Sequence, residues 1–579
     1  MTPLNLKDKW FKNIKGNEDL LLLSWLGAVC GILSGLLMVL LYWLVQWPAE
    51  HFMFGGGDGF AALTDWQRAL LPIISCFLLV VFFIWLPAKY HKLGIPYVIE
   101  RLNYHQGVLP VVNGVVQFFS VAIALAGGLS IGKEGPAVHI GATFGSLLAQ
   151  RNRLPQFGVE TLLACGVSGA IAASFQTPLG GVLFAFEVIF LEYRVQYVLP
   201  VLLSSVAGML VSQYFLGALS VFRVNNFSAT LLNLDLLLAC LTLVLSIVVL
   251  ALLFNRVQKI LWPLSRLPIW TRFSLVAMVT SLAAYYLPDI LGGGYDPLVK
   301  VLSGETLMYS LLVFLVAKTL LTSFTIGLGI PGGMIGPTLI IGGVAGVQVA
   351  FVFGEGMGIH HELALFALLG MAGMMAACFQ APLTALITVV EMTHSSEAIV
   401  PALFVIVLAC LIMRLIFQEE SVFVSRLHFA GLSHTLNPFK HHLMLHSVQP
   451  VSEEVVVLPA YASPEEVKDL GASTLDFAAF RVDDNWRIAR RAHMLEALEA
   501  LNQGPQPWLV ADGDHILMNL LEAVESTSID EIEDPDSLAS VADWFHQTQA
   551  SDVLVVFSKS HQVSVISRRT MDQFLFKDR

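Results

Sequence analysis

The sequence predicts an all-α polytopic membrane protein with a soluble α/β domain at its C-terminal end. Three observations predict it. Of 579 residues, 56% are hydrophobic and 13% charged, with a mean hydropathy of +0.72; an ordinary soluble domain has about 25% charged residues. Long apolar runs alternate with Gly- and Pro-interrupted runs too short to span a bilayer, which takes roughly 20 apolar residues. Broken helices at membrane depth are tolerated only where protein buries them. From about residue 450 the acids cluster and short β-like runs appear. The net charge of −12 therefore belongs to the appendix and signals no acidic partner. Nothing in the composition suggests binding to nucleic acid. The six cysteines are widely spaced in apolar segments without a CxxC, so they read as small buried hydrophobes, not disulfides or metal ligands. The 16 His show no ligand spacing, and His360-His361 reads as a loop.

Taken in order, residues 1–19 form a polar segment whose Lys7, Lys9, Lys12 and Lys15 place it in the cytoplasm by the positive-inside tendency. Leu20 to Gln46 is a first span, too long for a signal h-region. A glycine-rich loop (55–59) leads to a second span, Leu70 to Ala88, and an amphiphilic stretch containing Gly94-Ile95-Pro96. Residues 108–186 are dense in Gly, Ala and Ser, which let membrane helices approach closely. Tyr197 to Leu216 and Leu231 to Phe254 are spans, and Asn255 to Arg272 reads as a basic, cytoplasmic connection. Phe273 to Leu287 is the next helix, followed by the turn GGGYDP (292–297). Met308 to Thr325 is a span that holds Lys318. GLGIPGGMIGP (327–337) opens a second broken-helix region ending near Thr393. Ala398 to Phe417 is a span and Ser421 to Leu432 a last short helix. Strand-like runs lie at 455–460, 508–513, 553–558 and 563–568. The expected domains are a membrane domain over 20–432 and a soluble one over 433–579.

One stretch, GGLSIGKEGPAVHIGATFG (127–145), puts Lys133 and Glu134 into apolar surroundings. A carboxylate at membrane depth costs several kcal/mol and marks a functional site by default. Gly135-Pro136 is a helix-start signal. Glu134 then falls at a helix N-terminus, where unpaired N–H groups carry roughly half a positive charge and favour an anion. A mere cap would be expected at the water boundary. The stretch also belongs to a repeat. At an offset of 204 (165 onto 369), Gly166 and Gly169 meet Gly370 and Gly373, Phe175-Gln176 meets Phe379-Gln380, Pro178-Leu179 meets Pro382-Leu383, and Glu187 meets Glu391. At an offset of 201 (132 onto 333), Gly132, Gly135, Pro136, Gly141 and Gly145 meet Gly333, Gly336, Pro337, Gly342 and Gly346, while Glu134 meets Ile335. Two halves, about 20–217 and 231–432, with broken helices at matching places point to a binding site at the repeat interface where half-helix N-termini converge. That site has one ionisable arm.

On GKEGP (132–136), GIP (94–96), GGMIGP (332–337) and the duplicated FQxPL with its Glu187 and Glu391, the chain resembles the CLC family of chloride channels and chloride/proton exchangers over about residues 20–432. The resemblance implies an inverted repeat of about eighteen membrane helices and a homodimer with an anion path in each subunit. It implies no cofactor, and a multi-pass protein of an inner or plasma membrane with both termini cytoplasmic. Glu134 corresponds to the gating glutamate, which competes with the anion when charged and swings away when protonated. The implied anion site comprises Leu93, Gly94, Ile95, Pro96, Gly132, Lys133, Gly135, Pro136, Met334, Ile335, Gly336 and Phe423, with Lys133 orienting or packing and not itself a ligand. Leu93 stands where the family has a coordinating serine, Phe423 where it has a tyrosine, and Ile335 where Phe is common, so chloride is the expected anion with another small anion as the alternative.

Proton-coupled members carry a glutamate pair where this chain has Glu187-Val188. Glu192, one helical turn beyond Val188, is the candidate substitute on a proton path through Glu187, Val188 and Glu192. Otherwise Glu187 and Glu391 read as acids satisfying backbone donors or cations at helix ends. Val188 tilts the expectation slightly toward channel-like conduction. The alternative is a proton-coupled antiporter, and a reading of another class is a poorly conducting regulatory membrane protein with the appendix as its output. An enzyme is not expected, since HExxH, GxSxG and paired carboxylates in the spans are missing. Residues 433–579 resemble a degenerate pair of CBS modules with a cytoplasmic, regulatory role. No specific residue there supports a nucleotide, and dimer contact is the more cautious role.

Overall fold

The structure, a computed structural model, describes residues 17–52, 63–191, 198–217, 234–294, 308–357, 363–393, 398–432 and most of 451–571, beside a few isolated positions. The N-terminal lysines, loop 55–59, Glu192, residues 295–297, His360-His361 and residues 433–447 lie outside the described residues. The chain divides into two compact units, Met1–Leu436 and Asn437–Arg579.

The first unit is helical. Its first half contains α1 (Asn17–Phe52), α2 (Asp65–Ile84), α3 (Ile95–Tyr104), α4 (Val111–Ala126), α5 (Glu134–Arg151), α6 (Gln156–Phe175), α7 (Pro178–Phe184) and α8 (Val198–Leu216). Its second half contains α9 (Leu234–Leu261), α10 (Ile269–Tyr286), α11 (Met308–Gly327), α12 (Ile335–Met357), α13 (Leu363–Phe379), α14 (Pro382–Thr393), α15 (Ile399–Leu411) and α16 (Val422–Phe429). Among the described residues, 8 helices are long and apolar enough to cross a membrane. Leu21 and Trp25 on α1, Phe77 on α2, and Leu245 and Val249 on α9 are exposed. Hydrocarbon accepts such a surface, provided every backbone group bonds within the protein.

Small residues set the inner packing, and they do so twice. A Cβ on Gly141 (α5) or Gly166 (α6) would collide with the other residue's carbonyl, and the same holds for Gly342 (α12) and Gly370 (α13). Two helices can touch backbone to backbone only without side chains at the crossing. The repeated FQxPL also has a conformational meaning. Gln176 and Gln380 both adopt φ 56°, the left-handed corner that ends α6 and α13. Pro178 and Pro382 then open α7 and α14, where a missing N–H is harmless.

Several boundaries differ from the sequence expectation. α2 starts at Asp65, because Thr64 and Gln67 form a capping box, with Thr64 N–H donating to Gln67 Oε1 at 3.0 Å. α9 continues to Leu261, through what read as a basic connection. Lys259 meets the buried Glu419 carboxylate at 2.7 Å and Arg256 lies 3.8 Å from it, so these cations are partnered on a helix. α15 gives way to a π-helical turn, Ile412–Ile416, before the expected end of its span.

The second unit contains the strands. The sheet orders are β1-β11-β10-β9, β2-β4-β5-β8 and β3-β7-β6, the last made of β3 (Tyr461–Ala462), β6 (Leu509–Asp512) and β7 (His515–Asn519). One strand–helix–strand–strand pattern occurs twice. In the first, β2 (Val456–Leu458) runs parallel to β4 (Phe477–Val482), which pairs antiparallel with β5 (Asn485–Arg490). In the second, β9 (Glu531–Glu533) runs parallel to β10 (Asp552–Phe557), which pairs antiparallel with β11 (Gln562–Ser567). Helices α17 (Pro464–Ala472) and α20 (Leu538–Thr548) make the two crossovers, α18 (Arg491–Leu501) follows the first hairpin, and the short α19 (Leu520–Ala523) follows β7. β8 (Ser526–Ile529), which precedes the second pattern, completes the sheet of the first, and β1 (Glu453–Glu454) completes that of the second.

Candidate anion site

The two broken-helix regions meet at their glycines. Gly132 N–H donates to Gly333 O at 2.7 Å and Gly333 N–H to Gly132 O at 2.8 Å, an isolated antiparallel bridge. This reciprocity is what a twofold relation between the halves produces. The approach leaves no room for side chains, since a Cβ on Gly135 would lie 2.8 Å from Gly333 Cα. The bridge brings the start of α5, at Glu134, beside the start of α12, at Ile335.

Glu134 is fully buried, and its Oε2 accepts from Gly336 N–H at 3.1 Å. The acid of the first half thus sits on the helix start of the second, where the backbone presents donors and partial positive charge. Gly132 and Gly336 enclose it; a Cβ on Gly336 would fall 2.6 Å from Oε2 and 3.0 Å from the carboxyl carbon. Ile335, at the matching place of the other half, is fully buried and apolar.

A cavity of about 330 Å³ lies beside this junction. Of the expected anion-binding residues, Leu93, Gly94, Ile95, Pro96, Gly135, Met334 and Phe423 border it. Gly132, Lys133, Pro136, Ile335 and Gly336 do not; Gly132 and Gly336 face the Glu134 carboxylate, and the Lys133 ammonium lies 5.1 Å over the Tyr42 ring. Gly94 starts α3 at φ 82°, a value glycine adopts freely. Phe423 stacks on Phe379, with ring centroids 5.0 Å apart and planes at 20°. Leu93 and Phe423 bring no hydroxyl to the wall.

The wall also contains polar side chains that the sequence reading passed over. Arg272 Nη1 donates to Leu328 O at 3.0 Å and Arg426 Nη2 to Ile326 O at 2.6 Å, so two guanidinium groups stand at the cavity. The loop before α3 is held from behind. Asn113 Nδ2 donates to Lys92 O at 3.0 Å, and Gly94 N–H donates to His139 Nδ1 at 3.2 Å. Gln117 borders the cavity, with its Oε1 3.3 Å from the same His139 nitrogen. The available sequence signal was a set of polar side chains on otherwise apolar helices, which alone reads as satisfied core.

Glu187, expected on a proton path, and its repeat counterpart Glu391 both accept from backbone donors at helix starts. Glu187 accepts from Leu383 N–H at 3.0 Å, Thr384 N–H at 2.7 Å and Thr384 Oγ1 at 2.6 Å, at the start of α14. Glu391 accepts from Leu179 N–H and Gly180 N–H, both at 2.9 Å, at the start of α7. Each half therefore caps a helix of the other. Val188 is buried in the π-helical turn Ala185–Phe190.

Residues 73–414 match the family model for the voltage gated chloride channel. A ClcB-like protein of Ralstonia nicotianae is 28% identical over 371 residues, covering 60% of this chain and 82% of the relative. The H(+)/Cl(-) exchange transporter ClcA of Vibrio cholerae is 29% identical over 330 residues, covering 54% of this chain and 69% of the relative. The fold is that of a solved eukaryotic CLC transporter, with a TM-score of 0.60 at 19% identity over 95% of this chain and 98% of that one.

Proposed function

The chain belongs to the voltage-gated chloride channel (CLC) family of anion-transporting membrane proteins, and from that premise we propose that it moves chloride or a similar small anion along a path gated by Glu134. The observation that carries the proposal is the buried Glu134 carboxylate on the Gly336 N–H, 3.1 Å away, at the start of α12. A helix N-terminus is an anion site. A charged carboxylate there holds the donors that a passing anion needs. Protonation removes the charge, weakens the bond to Gly336 and lets the side chain leave, which frees the donors. The neighbouring helix starts and glycine backbone then hold the anion by N–H groups.

Channel-like movement is slightly favoured. Val188 cannot carry a proton, and Glu187 beside it already accepts three hydrogen bonds. Proton-coupled antiport is the second reading, and the identity to a relative named as an H(+)/Cl(-) exchange transporter favours it. The proposal includes a homodimer with both termini in the cytoplasm, for which Lys7, Lys9, Lys12 and Lys15 argue at the N-terminal end. It also takes the twice-occurring strand–helix–strand–strand pattern as a CBS-like regulatory domain.

Liposomes holding the purified protein, with anion efflux and proton uptake recorded together, test the proposal. Efflux without proton movement is expected. Uphill proton uptake driven by an anion gradient would replace the channel reading with exchange. Absence of flux for every anion would end both, and leave the poorly conducting regulator.

A further inference from the structure

We propose that Gln117 coordinates the anion and sets selectivity, its amide N–H serving in place of the hydroxyl that Leu93 lacks. The inference rests on the anion-transport reading above. Gln117 lies on α4, is 1% exposed, and borders the cavity together with Leu93, Gly94 and Phe423. Its Nε2 makes no hydrogen bond in the structure. Buried donors without partners are rare and call for a reason.

His139 supplies the geometry. It is fully buried on α5, and its Nδ1 accepts from Gly94 N–H at 3.2 Å. An Nδ1 that accepts leaves the proton of the neutral ring on Nε2. The amide end of Gln117 lies 3.3 Å from that same Nδ1. With its lone pair committed to Gly94, Nδ1 has no proton to offer an amide oxygen. If the amide is turned so that nitrogen faces Nδ1, one of its two N–H groups shares that lone pair and the other stays unspent. In either orientation, at least one amide N–H of Gln117, a residue that borders the cavity, is uncommitted. A small inorganic anion is the partner that fits, because hydrogen bonds to a charged acceptor are shorter and stronger than neutral ones. His139 is then a positioning residue that acts through Gln117.

The test is Gln117→Met, close in volume and without donors, in the full-length protein. Chloride binding is measured by calorimetry in detergent, and efflux of chloride, nitrate and thiocyanate from liposomes. The expected result is a chloride Kd weakened about tenfold, the loss of one charge-assisted hydrogen bond. Selectivity should shift toward thiocyanate, and Leu93→Ser added to Gln117→Met should restore much of the chloride preference. His139→Phe should give a smaller shift in the same direction. If Gln117→Met yields no monodisperse protein, Gln117→Asn, which keeps the amide but shortens its reach, carries the same expectation. Unchanged affinity and selectivity in a wild type that transports would overturn this inference alone. A wild type that neither binds nor moves any anion would overturn the function reading and this inference with it.

Discussion

At the scale of single residues, the site depends on a carboxylate that fits only because glycines surround it. Gly336→Ala should push Glu134 off the start of α12, since the new Cβ would overlap the carboxyl group. Flux near neutral pH should rise toward that of Glu134→Ala, measured by anion efflux; a flux still as pH-sensitive as wild type would count against the carboxylate's position. Glu134 was legible in the sequence because a charge among Gly and Pro inside an apolar run has few structural explanations. Gln117 and His139 were not. Their meeting joins α4 to α5 across 22 positions, and the donor that fixes His139 is the Gly94 backbone, which no sequence pattern advertises. Lys133 directs its ammonium to the Tyr42 ring, in keeping with the orienting or packing role read from the sequence.

At the scale of elements, the repeat works by exchange, since each half finishes a helix of the other. Glu187→Ala should destabilise the membrane unit by about 3 kcal/mol and Glu391→Ala by about 2 kcal/mol, following the strength of hydrogen bonds to charged acceptors and the buried donors left behind. Thermal unfolding in detergent measures this, and anion selectivity should stay unchanged in both variants; a selectivity change on Glu187→Ala would return it to the transport path. Gln380→Gly should be neutral or stabilising by up to about 1 kcal/mol, because glycine accepts the left-handed corner at φ 56°. Gln380→Val should cost stability in the same assay. The long spans and the broken-helix regions were readable from apolar run length and Gly/Pro punctuation. The extension of α9 was not, because Arg256 and Lys259 look like a water-facing connection until the buried Glu419 is known. In the appendix, β4 and β5 escaped notice because Arg481, Arg487 and Arg490 interrupt their short apolar runs.

At the scale of the whole molecule, two compact units share one chain. A chain ending at residue 436 should still insert, fold and move anions in liposomes, with any regulatory effect of the appendix lost. The membrane unit repeats itself in an inverted sense, and at the matching helix starts its halves set the acid Glu134 against the apolar Ile335. The most direct measurement is therefore anion efflux from liposomes across a pH series, comparing wild type with Glu134→Gln. Wild-type efflux is expected to rise severalfold as pH falls and the carboxylate takes up its proton. Efflux through Glu134→Gln is expected to be high and nearly independent of pH. A variant that keeps the wild-type pH profile would contradict the assignment of Glu134 as the gate.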